Sequence, residues 1–98
     1  MNSQVRMYRI KKGELDAFVR EWRAGVVPLR AKFGFTIDAA WLSRTDDRFV
    51  WILSYDGPGT FEARDALYYA SPERKSLRPD PAARVEKIEH WLMEPVDL

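Results

Sequence analysis

The chain has no cysteine and a single histidine among its 98 residues. The absence of cysteine excludes disulfides, thiol nucleophiles and thiolate metal sites, and it fits a reducing compartment. A zinc-type site needs several His, Cys or carboxylate ligands that converge, and no such residues recur at metal-ligand spacing. We therefore expect no metal site and no cofactor.

A charge excess of one sign and long apolar runs are also missing. The net charge is +1, from 16 Lys and Arg against 15 Asp and Glu, so we expect no basic patch for nucleic acid. No apolar run approaches the roughly 20 residues of a membrane span, and the opening MNSQVRMYRI lacks the apolar core of a secretory signal. The segment DGPGT at 56–60 lacks the lysine and the spacing of a phosphate-binding loop. These absences predict a cytoplasmic protein that binds no nucleic acid and does not span a membrane.

Apolar residues are plentiful, and their spacing predicts a single domain over residues 1–98. They make up 46% of the chain, which is enough for one hydrophobic core. Strand-forming residues predict strands over 4–10, 35–43 and 49–55. From Glu14, apolar residues at three- and four-residue steps predict a helix ended by Gly34. Pro28 predicts either a kink in it near Gly25 to Val27 or a second helical piece after that point. Arg30 falls on the polar side of that helix.

The second connection carries three helix-start signals. Thr60 is an N-cap candidate, and Ser71 and Asp80 each precede a proline at a first helical position. The last short helix would carry Val85 and Ile88, and residues 90–93 would form a fourth strand. The order βαββαβ predicts an α+β fold, the ferredoxin-like sandwich with a four-stranded antiparallel sheet. Its first and third strands are central, and its helices cover one face.

The strand FVWILSY at 49–55 is apolar on both faces. An antiparallel sheet with one face in water should instead alternate apolar and polar residues. Because the helices cover one face, the economical cover for the other is a second copy of the sheet, as symmetric two-fold dimers are the commonest oligomers. We predict a homodimer with its sheets face to face. Val50 and Ile52 are assigned to the helix side, and the dimer interface is assigned to Trp41, Phe49, Trp51 and Leu53.

Four segments resemble the NIPSNAP family of the dimeric α+β barrel superfamily. They are VRMYRIKKGELDAFVREWR at 5–23, VVPLRAKFGF at 26–35, YYASPERK at 68–75 and HWLMEPV at 90–96. The resemblance implies a ferredoxin-like protomer and a barrel formed by two paired sheets. It leaves the activity undefined, with small-ligand binding or protein interaction as one expectation. Because sister families include cofactor-free monooxygenases and isomerases, the alternative is such an enzyme acting on a small aromatic or enolic substrate.

Arg6 and Tyr8 are the first candidate site residues. They lie two apart on strand one, so they share a face of the sheet, and they match an Arg-x-Tyr pattern in the first strand of the family. If that face looks toward the helices, the guanidinium and the phenol are placed to hold an anionic or enolic oxygen. The alternative is structural, with Arg6 paired to a carboxylate and Tyr8 packed in the core.

The remaining candidates are a histidine, two tyrosines and an aspartate. His90 is the side chain whose ordinary pKa suits a general base near neutrality, although a histidine at a helix C-terminus is the common structural case. Tyr68 and Tyr69 are about 100° apart on a helix, so we expect one of them to point at the sheet and line a pocket for a small apolar or aromatic ligand. Asp38 is a polar residue of strand two and a further candidate for ligand binding.

Overall fold

The structure is a computed structural model, and it describes residues 2–98. Four strands and four α-helices follow one another in the predicted order, with a π-helical turn between the first two helices. Their bounds are β1 Asn2–Ile10, α1 Leu15–Glu21, the π-helical turn Trp22–Val26, α2 Val27–Lys32, β2 Phe35–Ser43, β3 Arg48–Tyr55, α3 Phe61–Ala70, α4 Pro72–Lys75 and β4 Val85–Met93.

The sheet has the strand order β2-β3-β1-β4, and all neighbouring strands are antiparallel. β1 and β3 are therefore central. This is the predicted ferredoxin-like α+β arrangement, and the expected fold class is confirmed. The register sets Arg6 of β1 directly beside Trp51 of β3 on one side and His90 of β4 on the other, so these three residues share one face of the sheet.

The helix ends follow from local residues. Thr60 Oγ1 accepts a hydrogen bond from the backbone N–H of Ala63 at 3.1 Å, and Ser71 Oγ accepts one from the N–H of Arg74 at 3.1 Å. Both residues are N-caps, as predicted, and they satisfy amides that the first turn of a helix leaves free. Gly34 follows α2 with a φ of +90°, a conformation that favours glycine.

The segment before β4 corrects one prediction. Asp80 Oδ1 does accept from the backbone N–H of Ala82 at 2.9 Å, but residues 81–84 form turns and no helix follows. The predicted helix carrying Val85 and Ile88 is wrong, because β4 begins at Val85. β4 pairs with β1 from Ser3↔Met93 to Ile10↔Val85, and this full-length pairing satisfies backbone groups along both strands.

The helices pack on one face of the sheet, and this face corrects the dimer assignment. Phe49, Trp51 and Leu53 are 2%, 1% and 0% exposed and lie in the core beneath the helices. The ring of Phe49 meets Phe18 at a centroid distance of 5.1 Å, and Trp22 meets Trp51 at 5.4 Å. Alternation fixes which residues share a face but not which face is covered. The bulky residues lie where the helices supply aromatic partners, so their assignment to a dimer interface is wrong.

The uncovered face of the sheet, called here the open face, is also apolar. Val5, Met7, Val50 and Ile52 occupy its centre and are half-buried. Trp41 pairs with Val50 and is 58% exposed; on the other side, Trp91 pairs with Val5. Trp41 is thus the predicted interface residue that does lie on this face.

No helix within residues 2–98 is both long enough and apolar enough to cross a membrane.

Candidate functional site

A cavity of about 40 Å³ lies between the covered face of the sheet, the first helical segment and the connection that leads to β4. β1 supplies Arg6 and Tyr8 to its wall, and the π-helical turn and α2 supply Trp22 and Arg30. The remaining lining residues are Phe18, Val26, Trp51, Tyr68, Tyr69, Arg74, Pro81, Ala82, Val85 and Ile88. Six of the fourteen lining residues are aromatic and three are arginines.

Arg6 is held by three neutral groups. Its Nε donates to Tyr8 Oη at 2.8 Å, Nη1 donates to Gln4 Oε1 at 2.9 Å, and Nη2 donates to Tyr69 Oη at 2.9 Å. Arg6 is 4% exposed, and within residues 2–98 no carboxylate oxygen lies within 4.0 Å of it. A buried charge is normally compensated by a partner of opposite sign. Among residues 2–98, Arg6 has no such partner in direct contact.

Arg30 is the second buried guanidinium, at 1% exposure. Its Nη1 donates to Asp65 Oδ1 at 2.7 Å, and its Nη2 donates to Tyr69 Oη at 3.3 Å. Its Cζ lies 3.8 Å from the centroid of the Tyr68 ring, a cation–π contact. Tyr69 Oη thus accepts from both guanidinium groups, which joins Arg6 and Arg30 into one network.

Burial and neighbouring groups shift the pKa of three residues of the site, Arg6, Tyr8 and Tyr68. Burial raises the pKa of both Tyr8 and Tyr68 above the ordinary tyrosine value, so both phenols keep their protons at neutral pH. Burial lowers the pKa of the Arg6 guanidinium, but its interactions with Tyr8, Tyr69 and the Asp65 carboxylate outweigh this and leave that pKa above its usual value. The site therefore combines the Arg6 and Arg30 guanidinium groups, of which Arg30 is paired with Asp65, with the protonated hydroxyl groups of Tyr8 and Tyr68.

Three polar atoms of the cavity wall are buried and have no hydrogen-bond partner in residues 2–98. They are Trp22 Nε1, Arg30 Nε and Tyr68 Oη. Buried polar groups in native proteins are nearly always hydrogen-bonded, and each unsatisfied group destabilises the fold by about 1–3 kcal/mol. Three residues of the cavity wall therefore each carry a buried polar atom that the fold leaves unsatisfied.

Arg6 and Tyr8 lie together in the site, on the face that looks toward the helices, as the sequence predicted. The structural alternative paired Arg6 with a carboxylate, but its partners are Gln4, Tyr8 and Tyr69. Tyr8 does also pack in the core, with its ring against Phe18 at 5.8 Å. The pair is thus both a structural element and the polar end of the cavity.

His90 lies beside Arg6 in the register but does not line the cavity. Its Nδ1 is 3.4 Å from Gln4 Nε2, and the side chain is exposed. Gln4 therefore connects it to Arg6 through two polar contacts. The expectation of a histidine at a helix C-terminus is wrong, because residue 90 lies inside strand β4.

The structure brings both tyrosines, but not the aspartate, to the cavity. Tyr68 is buried beneath the ring systems of Phe33 and Phe35, and Tyr69, although partly exposed, reaches Arg6 with its hydroxyl group. The expectation that only one of the two tyrosines would line the cavity is therefore wrong, because both do. Asp38 is exposed and accepts a hydrogen bond from Ser54 Oγ, a residue of the open face, so it lies on the other side of the sheet.

Arg30 is the site residue that sequence reasoning missed. A regular helix places it opposite the apolar stripe, but the turn Trp22–Val26 is π-helical. A π-helical turn holds more residues than an α-helical turn, so the side chains after it are rotated relative to the stripe before it. Gly25 and Pro28 are the local signals of irregularity, and neither specifies a π-helical turn.

The fold and the site together define a class: a small α+β protein with a ferredoxin-like protomer and a buried, cationic, aromatic-walled cavity. No family model matches the chain, and no curated protein matches it. Solved structures do match it. A crystal structure of an uncharacterised NIPSNAP domain protein from Burkholderia xenovorans is similar with a TM-score of 0.83 and 20% identity, covering 98% of this chain and 95% of that one.

Two further structures extend the comparison. A NIPSNAP family protein of unknown function from Agrobacterium tumefaciens is similar with a TM-score of 0.84 and 21% identity, covering 97% of this chain and 87% of that one. An antibiotic biosynthesis monooxygenase is similar with a TM-score of 0.72 and 20% identity, covering 99% and 100%. The resemblance to NIPSNAP proteins is confirmed at the level of the fold, and identities this low carry the fold alone.

Proposed function

We propose that this protein is a NIPSNAP-like homodimer that binds a small ligand in the cavity of each protomer without transforming it. The observation that carries the proposal is the buried Arg6 guanidinium in the cavity wall, whose hydrogen-bond partners are the neutral side chains of Gln4, Tyr8 and Tyr69. A ligand that accepts hydrogen bonds and carries negative charge would compensate this buried charge. The walls also have the aromatic character that ligand pockets favour.

Binding is tested by tryptophan fluorescence, because Trp22 and Trp51 line the cavity. We expect saturable quenching by small aromatic compounds. Ala82 is exposed and lines the cavity, whereas Ala83 is exposed and does not, so A82W should block access and A83W is its matched control. Equal quenching of both variants would place the ligand elsewhere and refute the proposal.

The homodimer is supported by the open face. An apolar surface that combines Val50 and Ile52 with the exposed rings of Trp41 and Trp91 is unusual for a monomer in water. Light scattering at micromolar concentration should give twice the protomer mass. The variant I52D should give the protomer mass, whereas L67D, which adds the same charge at an exposed site on α3, should remain dimeric. A monomeric wild type would refute the dimer.

The second candidate is a cofactor-independent monooxygenase or isomerase. The observation that favours it is the link from Arg6 through Gln4 to His90: the guanidinium and Tyr8 would hold an enolate, and the imidazole would take the proton. The exposure of His90 outside the cavity wall favours the binding function instead. Turnover of a phenolic or quinol substrate that is abolished in H90A would establish the enzyme, and unchanged turnover would remove the histidine from the mechanism.

A further inference from the structure

We infer that the ligand of the cavity is the monoanion of a small aromatic acid, held by its carboxylate against Arg6. This inference rests on the proposed binding function and specifies the ligand's charge, head group and body. It adds a negative charge to the small apolar or aromatic ligand expected from the sequence. Three features of the cavity lead to it.

The first feature is the charge balance of the three guanidinium groups. Arg30 is neutralised by Asp65 at 2.7 Å, and Arg74 has Asp80 at 3.8 Å. Arg6 has neutral partners alone. The site therefore carries one uncompensated positive charge, and a single negative charge on the ligand balances it.

The second feature is the direction of the available hydrogen bonds. A guanidinium N–H can donate but not accept, so the Arg6 side chain in the cavity wall can bind only an acceptor. Arg6 donates three of its five N–H groups to protein atoms, which leaves two for a ligand. A carboxylate offers only acceptors, and its planar geometry suits a guanidinium. Cations, including protonated amines, are excluded as ligands, because their charge has the same sign as that of Arg6 and because they donate hydrogen bonds rather than accept them.

The third feature is shape. A volume of about 40 Å³ holds a head group but not a whole molecule, since pockets for drug-sized ligands measure about 300–1,000 Å³. The body of the ligand must extend toward the rim, where Ala82 and Ile88 are exposed. Tyr69 lines the cavity and is 37% exposed, so its ring favours a flat aromatic body that stacks or packs edge to face where the ligand leaves the cavity.

The test compares two isosteric probes on the wild-type chain in a buffer free of carboxylates. Benzoate and benzamide differ in charge but hardly in size or shape. We expect benzoate to bind about tenfold or more tightly than benzamide, measured by calorimetry and tryptophan quenching, because a charge-assisted hydrogen bond is lost in the amide. This comparison needs no variant, so it does not depend on how a substitution at Arg6 affects folding.

A pair of variants then locates the charge. R6M should weaken benzoate binding about tenfold or more and leave benzamide binding nearly unchanged. R23M removes an exposed guanidinium outside the cavity and should change neither affinity. Benzamide binding as tightly as benzoate would overturn the anionic inference and leave the proposed binding function standing. If neither probe bound, both the inference and the proposed function would fail.

Discussion

Replacing Asp65 with alanine should destabilise the fold strongly, because it removes the counter-charge of a buried guanidinium. Arg30 is 1% exposed, and its Nη1 lies 2.7 Å from Asp65 Oδ1. The other contacts of the guanidinium are neutral, namely the Tyr69 hydroxyl group and the Tyr68 ring. Removing one partner of a buried ion pair typically costs about 3–5 kcal/mol. The Asp65 side chain is 21% exposed, so we expect the lower end of that range.

Chemical and thermal denaturation measure this effect. For a domain of this length, a loss of about 3 kcal/mol lowers the thermal midpoint by roughly 12 °C or more, out of a total stability of about 5–15 kcal/mol. The matched control is D16A. Asp16 forms an ion pair with Arg44 in which the side chains are 65% and 66% exposed, and pairs of this kind are screened by water and salt. The midpoint of D16A should therefore stay close to that of the wild type.

A double variant separates the lost charge balance from lost packing. R30M/D65A removes the guanidinium together with its carboxylate, so no uncompensated charge stays buried, and it should recover much of the stability that D65A loses. A loss of less than about 1 kcal/mol in D65A would contradict the reasoning, since it would mean that water reaches the guanidinium. A double variant no more stable than D65A would contradict it equally.

Three other substitutions test local features, each by denaturant unfolding. T60A should lose about 1 kcal/mol, because it removes the N-cap acceptor of α3. G34A should lose more than about 1 kcal/mol, because φ is +90° there, a conformation that strains any residue with a Cβ. Y68F should gain about 1 kcal/mol, because the buried hydroxyl group has no partner among residues 2–98. Burial also raises the pKa of Tyr68, so the folded state keeps a proton that the unfolded state loses above about pH 10. The free energy of unfolding of the wild type therefore falls as the pH rises above that value. Y68F removes this group and should weaken the pH dependence.

The parts of the fold that follow from local rules were predictable from the sequence. The predicted bounds of β2 are those of the structure, and β3 differs by one residue, because alternating apolar residues bounded by turn residues specify a strand locally. The N-caps at Thr60 and Ser71 are also local, since each depends on one side chain and an amide three residues on. The order of strands and helices along the chain then allowed few topologies for the sheet.

The errors arose where a choice depends on distant residues. The two faces of β3 are both apolar, and only the aromatic rings of the first helical segment decide that Phe49 and Trp51 point toward the helices. Val85 and Ile88 fit a helix by spacing, but nine residues of β1 needed a partner strand. In the site, Arg6 and Tyr8 were visible as alternating residues of one strand, whereas Arg30 was hidden by the π-helical turn.

Correcting the face of β3 also separates the two proposed properties of the molecule. Trp51 lies in the core and in the cavity wall at once, whereas Ile52 lies on the open face. The proposed ligand site and the proposed dimer interface are therefore on opposite faces of one sheet. Because a folded strand transmits little between its faces without a second arrangement to adopt, I52D should dissociate the dimer and preserve benzoate affinity, and A82W should block benzoate and preserve the dimer. If I52D abolished binding while remaining folded by circular dichroism, the site would have to be completed by the second protomer.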